Sequence, residues 1–358
     1  AFFLFPFIRH SYPLILLNTF LINTLMQFFI PAEGSSIPLL VKRNGLFVAN
    51  SLFTFTLYGT FMIGFTMAGP ILNNSSISPI FNLGGWLLLL AALLSQSLPS
   101  LKTTVRRNGF KIWEIVGLET RETFAFIRGK LPVATSIGLL AAVQGVIGML
   151  AVLVPSYMER VLRVHATDAS LFLMLPLGLG MISGALIIGQ FFHSVPRRLI
   201  VIPSVIACGI LLFGVGIAPD VARALDATSL PERVRHLRYF LNAPSLASTF
   251  AVGAYLLGVA TVSIIIPSQT ILQEQTNDQN RGKILSVLAV LMNVFAAVPV
   301  ILAGATADLF GVTPIFLFLG VVVFLIGLLA LRPSVIFGED HLPVHLKEFL
   351  GLGHWDKK

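Results

Sequence analysis

The chain has 358 residues, of which 56% are hydrophobic and only 11% charged, and its mean hydropathy of +0.88 lies outside the range of water-soluble globular domains. The formal charge of +8 does not point to nucleic acid, because the basic residues sit in loops between apolar runs, where positive charge orients a membrane protein. A single cysteine, Cys208, excludes a disulfide framework and lies in an apolar run suited to helix packing.

The predicted class is an all-α polytopic membrane protein. Backbone groups in hydrocarbon have to be satisfied within their own segment, and the apolar runs show no strand-period alternation. The chain opens on an apolar stub, 1–8, too brief for a span or a signal peptide and read here as the end of a helix. Spans of roughly 20 residues follow at 13–31, 46–72, 79–98, 132–157, 170–192, 198–218, 247–267, 284–308 and 312–331, about nine transmembrane helices in all. They divide the chain into an incomplete N-terminal half (1–98), a basic connector (99–131), a six-helix half (132–332) and a polar tail (333–358).

The halves echo each other. Ala68-Gly69-Pro70 precedes Pro79-Ile80-Phe81 as Ala303-Gly304 precedes Pro314-Ile315-Phe316, with 11 positions between Ala and Pro in both (79 − 68 and 314 − 303). Upstream, Phe29-Ile30-Pro31-Ala32 parallels Ile265-Ile266-Pro267-Ser268, and each copy carries a basic loop, Lys42-Arg43 or Arg281 with Lys283. An offset this long suits duplicated transporter halves rather than a solenoid. Aligned on this repeat, the first half lacks three spans.

Under an alternating topology with the connector inside, Arg9, Arg160, Arg163, Arg223, Arg233, Arg235 and Arg238 fall outside. The other 17 of the 24 Lys and Arg residues (24 − 7) fall inside, so connector and tail are expected to be cytoplasmic in a multi-pass cell (inner or plasma) membrane protein. In the connector, Ile112, Trp113, Val116, Phe124 and Ile127 interleave with charges as in an interfacial amphipathic helix. Ser229 to Glu232 reads as a capping box opening a short surface helix. His341 and His345 share an i, i+4 spacing but lack companions for a metal set, so an ordinary solvated tail is expected.

Polar residues inside the spans are few. Thr19, Asn23 and Gln27 recur every fourth residue and share a helix face, which in hydrocarbon requires a partner helix or water. Thr54 and Tyr58, one turn apart, extend this candidate surface, and Gln144 and Asn293 are further candidates. Hardly a charged side chain falls within the predicted spans, and none can be named as a coupling group. Gly138, Ala141, Gly145 and Gly148 form a small-residue stripe, and Gly180 with Gly184 gives a small-xxx-small contact. There is no Walker motif, hence no sign of ATP coupling, and no cofactor is expected.

Several segments resemble the major facilitator superfamily, in particular its bacterial macrolide-efflux and siderophore-export carriers. Phe29-Ile30-Pro31-Ala32, Ile37-Pro38, Ala49-Asn50-Ser51-Leu52 and Gly69-Pro70 look like that superfamily's fourth and fifth helices. Pro267-Ser268-Gln269-Thr270, Leu272-Gln273 and Arg281-Gly282-Lys283 are similar to its tenth-to-eleventh connection. The resemblance implies a helix bundle of two pseudo-symmetric halves in which the chain supplies the fourth to twelfth helices of twelve, N-terminally truncated. It also implies that the first span here lines a central pathway.

Gly69 and Pro70 resemble the core of the antiporter motif, but Phe65, Asn73 and Asn74 stand where the family carries glycines, so both antiport and plain helix packing remain open readings. Arg197 and Arg198 resemble a degenerate copy of the family's loop signature without its acidic residue. They pair with carbonyls at a helix end or serve as positive-inside anchors. Arg281 belongs to the same set of candidate conformational residues.

The function expected from these readings is secondary active export of hydrophobic or amphipathic small molecules, with membrane lipid as surroundings and protons as the coupling ion that the resemblance implies. The alternatives are a lysophospholipid transporter of the same fold and a fragment that transports nothing. An enzyme is not expected: the nearest acid and histidine cluster, Glu159, His165 and Asp168, is too loosely spaced.

Overall fold

The structure, a computed structural model, describes residues 1–8, 10–74, 78–97, 125–162, 174–227, 243–276 and 278–331. No strand occurs among them. A turn of 3-10 helix at Phe2–Leu4 and the short helix α1 (Phe5–Ile8) lead into α2 (Tyr12–Leu40), α3 (Leu46–Asn74) and α4 (Ser78–Ser95). After the connector come α5 (Leu131–Tyr157), α6 (Leu175–Phe191), α7 (Arg197–Ala227), α8 (Ala243–Gln275), α9 (Asp278–Phe310) and α10 (Thr313–Leu329). Among the described residues seven helices are long and apolar enough to cross a membrane, and α6 and α10 are shorter apolar helices of 17 residues. The chain is therefore a multi-pass helical membrane protein.

Every predicted span overlaps a helix, but several boundaries move: α7 runs nine residues past 218 to Ala227, α9 begins at Asp278 rather than 284, and the first and seventh spans lengthen across prolines. The sequence reading stops the first span at Pro31 and the seventh at Pro267, whereas α2 runs on to Leu40 through Pro31 and Pro38, and α8 to Gln275 through Pro267. Proline removes one backbone donor, yet leaving the helix inside an apolar medium would expose many unpaired groups, so the helix persists. The longer α2 takes in Glu33, half-buried, a carboxyl-bearing residue that lies beyond the end of the predicted span. Prolines also fall within the first turn of α2, α5, α6 and α10, where the missing donor costs nothing.

Packing centres on α8, which touches α3, α5, α6 and α7. Close approach depends on glycine. A Cβ on Gly180 would collide with the Tyr255 carbonyl, and one on Gly258 with the Leu177 carbonyl, so α6 and α8 meet backbone to backbone. On the α5–α9 contact, Gly145 and Gly148 face Phe295, Ala296 and Val300, while Gly138 of the same stripe faces open space.

The α7–α10 pair uses a pattern the sequence reading missed. Gly209 and Gly216 on α7 receive Phe324 and Leu317, and Gly320 and Gly327 on α10 receive Phe213 and Ile206. Both glycine pairs are seven residues apart, the heptad spacing that keeps one seam facing a partner.

Three apolar clusters fill the bundle. At one end Tyr157 lies edge-on to Phe250 and Phe316, at 5.4 and 5.3 Å, and donates to the Val215 carbonyl at 2.8 Å, tying α5 to α7, α8 and α10. Toward the other end Phe47, Met181, Ile188, Val262 and Ile266 join α3 to α6 and α8, and Val133, Leu140, Leu272 and Ile284 join α5, α8 and α9. Helix α4 sits apart. It packs on the first residues of the chain, with Phe81 stacked on Phe5 at 4.3 Å, Trp86 edge-on to Phe3, and Gly84 and Gly85 making room for Phe2 and Phe3.

Gly180→Ala should lower the thermal midpoint by an amount matching about 1–3 kcal/mol, because the added methyl meets backbone that cannot yield. Gly138→Ala should be neutral or gain up to about 1 kcal/mol from helix propensity alone. Equal midpoints for the two variants in detergent melts would refute the backbone-to-backbone contact.

Candidate functional site

Among the described residues the largest group of polar contacts between helices lies at one end of the bundle, around the last turn of α8. A helix leaves its final carbonyls without intrahelical partners and carries partial negative charge there, so cations are stabilised beside them. Three cations converge on this end. Arg43, in the loop between α2 and α3, donates to the Glu274 carbonyl at 3.0 Å, and Lys130, just before α5, donates to the Gln275 carbonyl at 3.2 Å. Arg197, first residue of α7, pairs with the Glu274 carboxylate at 3.1 Å, lies over the Phe47 ring at 4.5 Å and donates to the His193 carbonyl.

Beneath this collar lies a fully buried amide. Asn50 on α3 donates through Nδ2 to Thr270 Oγ1 at 3.1 Å and to Gln273 Oε1 at 2.8 Å, both on α8. Thr270 can accept because its own hydrogen goes to the Ile266 carbonyl. Gln273 donates in turn to the Gly34 carbonyl of α2 at 3.4 Å. On the other side of α3, Ser51 rests where a Cβ on Gly189 of α6 would be, 2.6 Å from Ser51 Cβ. One end of α8 therefore ties α2, α3, α5 and α7 together, and Asn50 is the innermost knot.

The satisfaction is incomplete. Asn50 Oδ1, Arg197 Nε and Ser268 Oγ are buried without a hydrogen-bond partner among the described groups. A buried acceptor left unpaired costs about 1–3 kcal/mol, which offsets part of what the surrounding bonds contribute.

The candidate pathway residues divide. Gln27 and Asn293 come together: Asn293 Nδ2 donates to Gln27 Oε1 at 3.2 Å, joining α2 to the middle of α9, and also to the Ala289 carbonyl. Asn23 donates to the Thr19 carbonyl of its own helix, and both side chains are exposed beyond that junction. Thr54 is buried on α3, one turn from Asn50, rather than on an open surface. Tyr58 is half-buried against the clusters that join α3 to α8 and α5 to α9. Gln144 is half-buried on α5.

Arg198 donates to the Leu331 carbonyl just beyond α10, at 2.8 Å. Gly69 and Pro70 lie in α3 and Arg281 in the opening turn of α9, with side-chain surroundings outside the described part. Of the expected connector helix only the end is described, where 125–129 is helical and Ile127 joins the apolar cluster of Val133, Leu272 and Ile284; its Ile112, Trp113, Val116 and Phe124, the Ser229–Glu232 box and the tail histidines lie outside the described residues, and no metal-binding cluster occurs among those described.

Sequence reasoning quoted Asn50, Thr270 and Gln273 only as part of a resemblance and missed Glu274 and Lys130 as site residues. The available signal was spacing: Thr270, Gln273 and Glu274 fall at i, i+3 and i+4, on one face of a helix continued past Pro267. No family model and no curated protein matches this chain.

Arg197→Glu should weaken the collar, and adding Glu274→Arg should restore at least half of the lost thermal stability. The partly buried ion pair predicts a coupling of about 1–3 kcal/mol in the double-mutant cycle, the range for hydrogen bonds to charged groups. Additive losses would show that the two side chains act independently.

Proposed function

We propose that the chain acts in secondary transport, as a major-facilitator-type carrier exporting hydrophobic or amphipathic small molecules by alternating access. The supporting observation is the asymmetry of the ties. Polar bonds join α2 and α3 to the helices of the second half at one end and, through Gln27 and Asn293, as far as mid-helix, while Thr19 and Asn23 stay uncovered on α2 beyond Gln27. An uncovered amide and hydroxyl in the middle of a bilayer are costly against lipid, so they belong on a water-accessible crevice between α2 and α9. A crevice otherwise walled by apolar side chains suits amphipathic cargo better than sugars or anions.

In this reading the collar around α8 is the closed gate, and breaking it exposes the pathway to the opposite side. Energetically the requirement is modest, since partly satisfied bonds can be exchanged for water on opening. Glu33 supplies the carboxylate that proton coupling needs: half-buried in α2, it precedes the Gly34 carbonyl to which Gln273 donates. A lysophospholipid transporter of the same fold is the second reading, favoured by the uncovered side of α2, along which a lipid could slide.

The test is transport by the purified chain in proteoliposomes under a pH gradient, with amphipathic dyes and a fluorescent lysophospholipid assayed in parallel. Asn293→Ala should cut flux at least about tenfold, the loss expected when a bound group forfeits a well-placed hydrogen bond. Glu33→Gln should abolish the response to the gradient while leaving exchange. With Cys208 replaced by Ala, a cysteine at Asn23 should react with a membrane-impermeant thiol reagent, and one at the outward-facing Leu25 should not. Equal protection of both cysteines, with no flux of any substrate, would defeat the proposal; lysolipid flux alone selects the second reading.

A further inference from the structure

The two described ion pairs, Arg160–Asp308 and Arg197–Glu274, leave Lys42, Arg43, Arg128 and Lys130 without a carboxylate of their own. Arg43 and Lys130 meet only neutral main-chain carbonyls among their hydrogen-bond partners, on adjacent residues of α8, so both cations sit at the same end of that helix. Lys130 also stands 4.7 Å from the centre of the Phe126 ring, which fixes its stem. Lys42, Arg43 and Arg128 are exposed. A helix C-terminus offers partial charges, whereas a phosphate offers a full one and several acceptor oxygens, so an anion can compete for the remaining donors.

Apolar surface flanks these cations directly. Leu40 precedes Lys42 by two residues and is 50% exposed, and Leu131 follows Lys130 and is 47% exposed. Leu39 and Val48 are exposed on either side of the Lys42-Arg43 loop. Paired cations at the ends of apolar helices, with aliphatic side chains beside them, match a headgroup attached to acyl chains better than a free anion.

We propose that the collar is a binding site for an anionic phospholipid, with Arg43 and Lys130 holding the headgroup phosphate and Leu40 and Leu131 lying against the acyl chains. The site goes beyond the transport reading and depends only on membrane embedding. It is tested by binding rather than flux, so either can fail without the other. Occupancy loosens the collar, because phosphate withdraws two of the three cations from α8.

Full-length protein in mixed micelles of phosphatidylglycerol and phosphatidylcholine, examined by native mass spectrometry, should retain phosphatidylglycerol about tenfold over phosphatidylcholine, the scale expected for two interfacial cations. Arg43→Gln with Lys130→Gln should bring the ratio near parity, and Arg43→Lys should keep most of it. If the double variant does not fold, Lys42→Gln with Arg128→Gln, which touches none of the α8 contacts, should still lower the preference. Parity in the wild type, a preference untouched by both double variants, or equal displacement of the lipid by millimolar inorganic phosphate would overturn the proposal.

Discussion

Helix α8 can be surrounded by protein on so many sides because Gly180 and Gly258 delete two side chains where it meets α6. Backbones in direct contact forgo side-chain volume and gain dispersion along their whole length, the main attraction left once lipid replaces water outside. That enclosure makes α8 a place where polar side chains can be kept. Thr261, Ser263, Ser268, Thr270 and Gln273 are all buried along it, a density that a lipid-facing helix such as α4 could not carry.

Hydroxyls and amides then divide the work. Thr24, Thr56, Thr60, Thr261, Ser263 and Thr306 return their hydrogens to carbonyls three or four residues back, so each is satisfied within its own helix. An amide has two donors and two acceptor sites, more than its own turn absorbs, so it reaches for a neighbour. Asn50, Gln273 and Asn293 do this, and each marks a crossing: α3 on α8, α8 on α2, α9 on α2. The amide-bearing contacts are the directional ones and the glycine contacts the close ones.

Hydropathy made the helices legible, since hydrocarbon leaves few backbone options, and the Ala-Gly and Pro echo placed comparable boundaries near α3/α4 and α9/α10. The ends of helices were harder. Glu33 and Glu274 lie beyond prolines that normally mark a boundary, and only the backbone reveals that both belong to continuous helices. The Gln27 and Asn293 junction joins residues 266 positions apart, which no local period encodes, although each was singled out as a polar residue in an apolar run. Lys130 looked like connector charge because its partner is a carbonyl, and carbonyls are the same at every position of a sequence.

The contact of α3 with α6 is uneven along its length. Near the collar a Cβ on Gly189 would collide with Ser51 beside the Asn50 bonds, whereas at the other end a Cβ on Gly178 would meet Met62 at an ordinary 3.6 Å. The spacing from Asn50 to Met62 is about 18 Å along the helix axis, so a tilt of about 10° pivoting at Asn50 swings the far end by about 3 Å. A displacement of that size exceeds the width of a methyl group while the pivot hardly moves. Such a tilt would make the pair a hinge with its pin at the polar end, where a few bonds govern a large displacement at the far end.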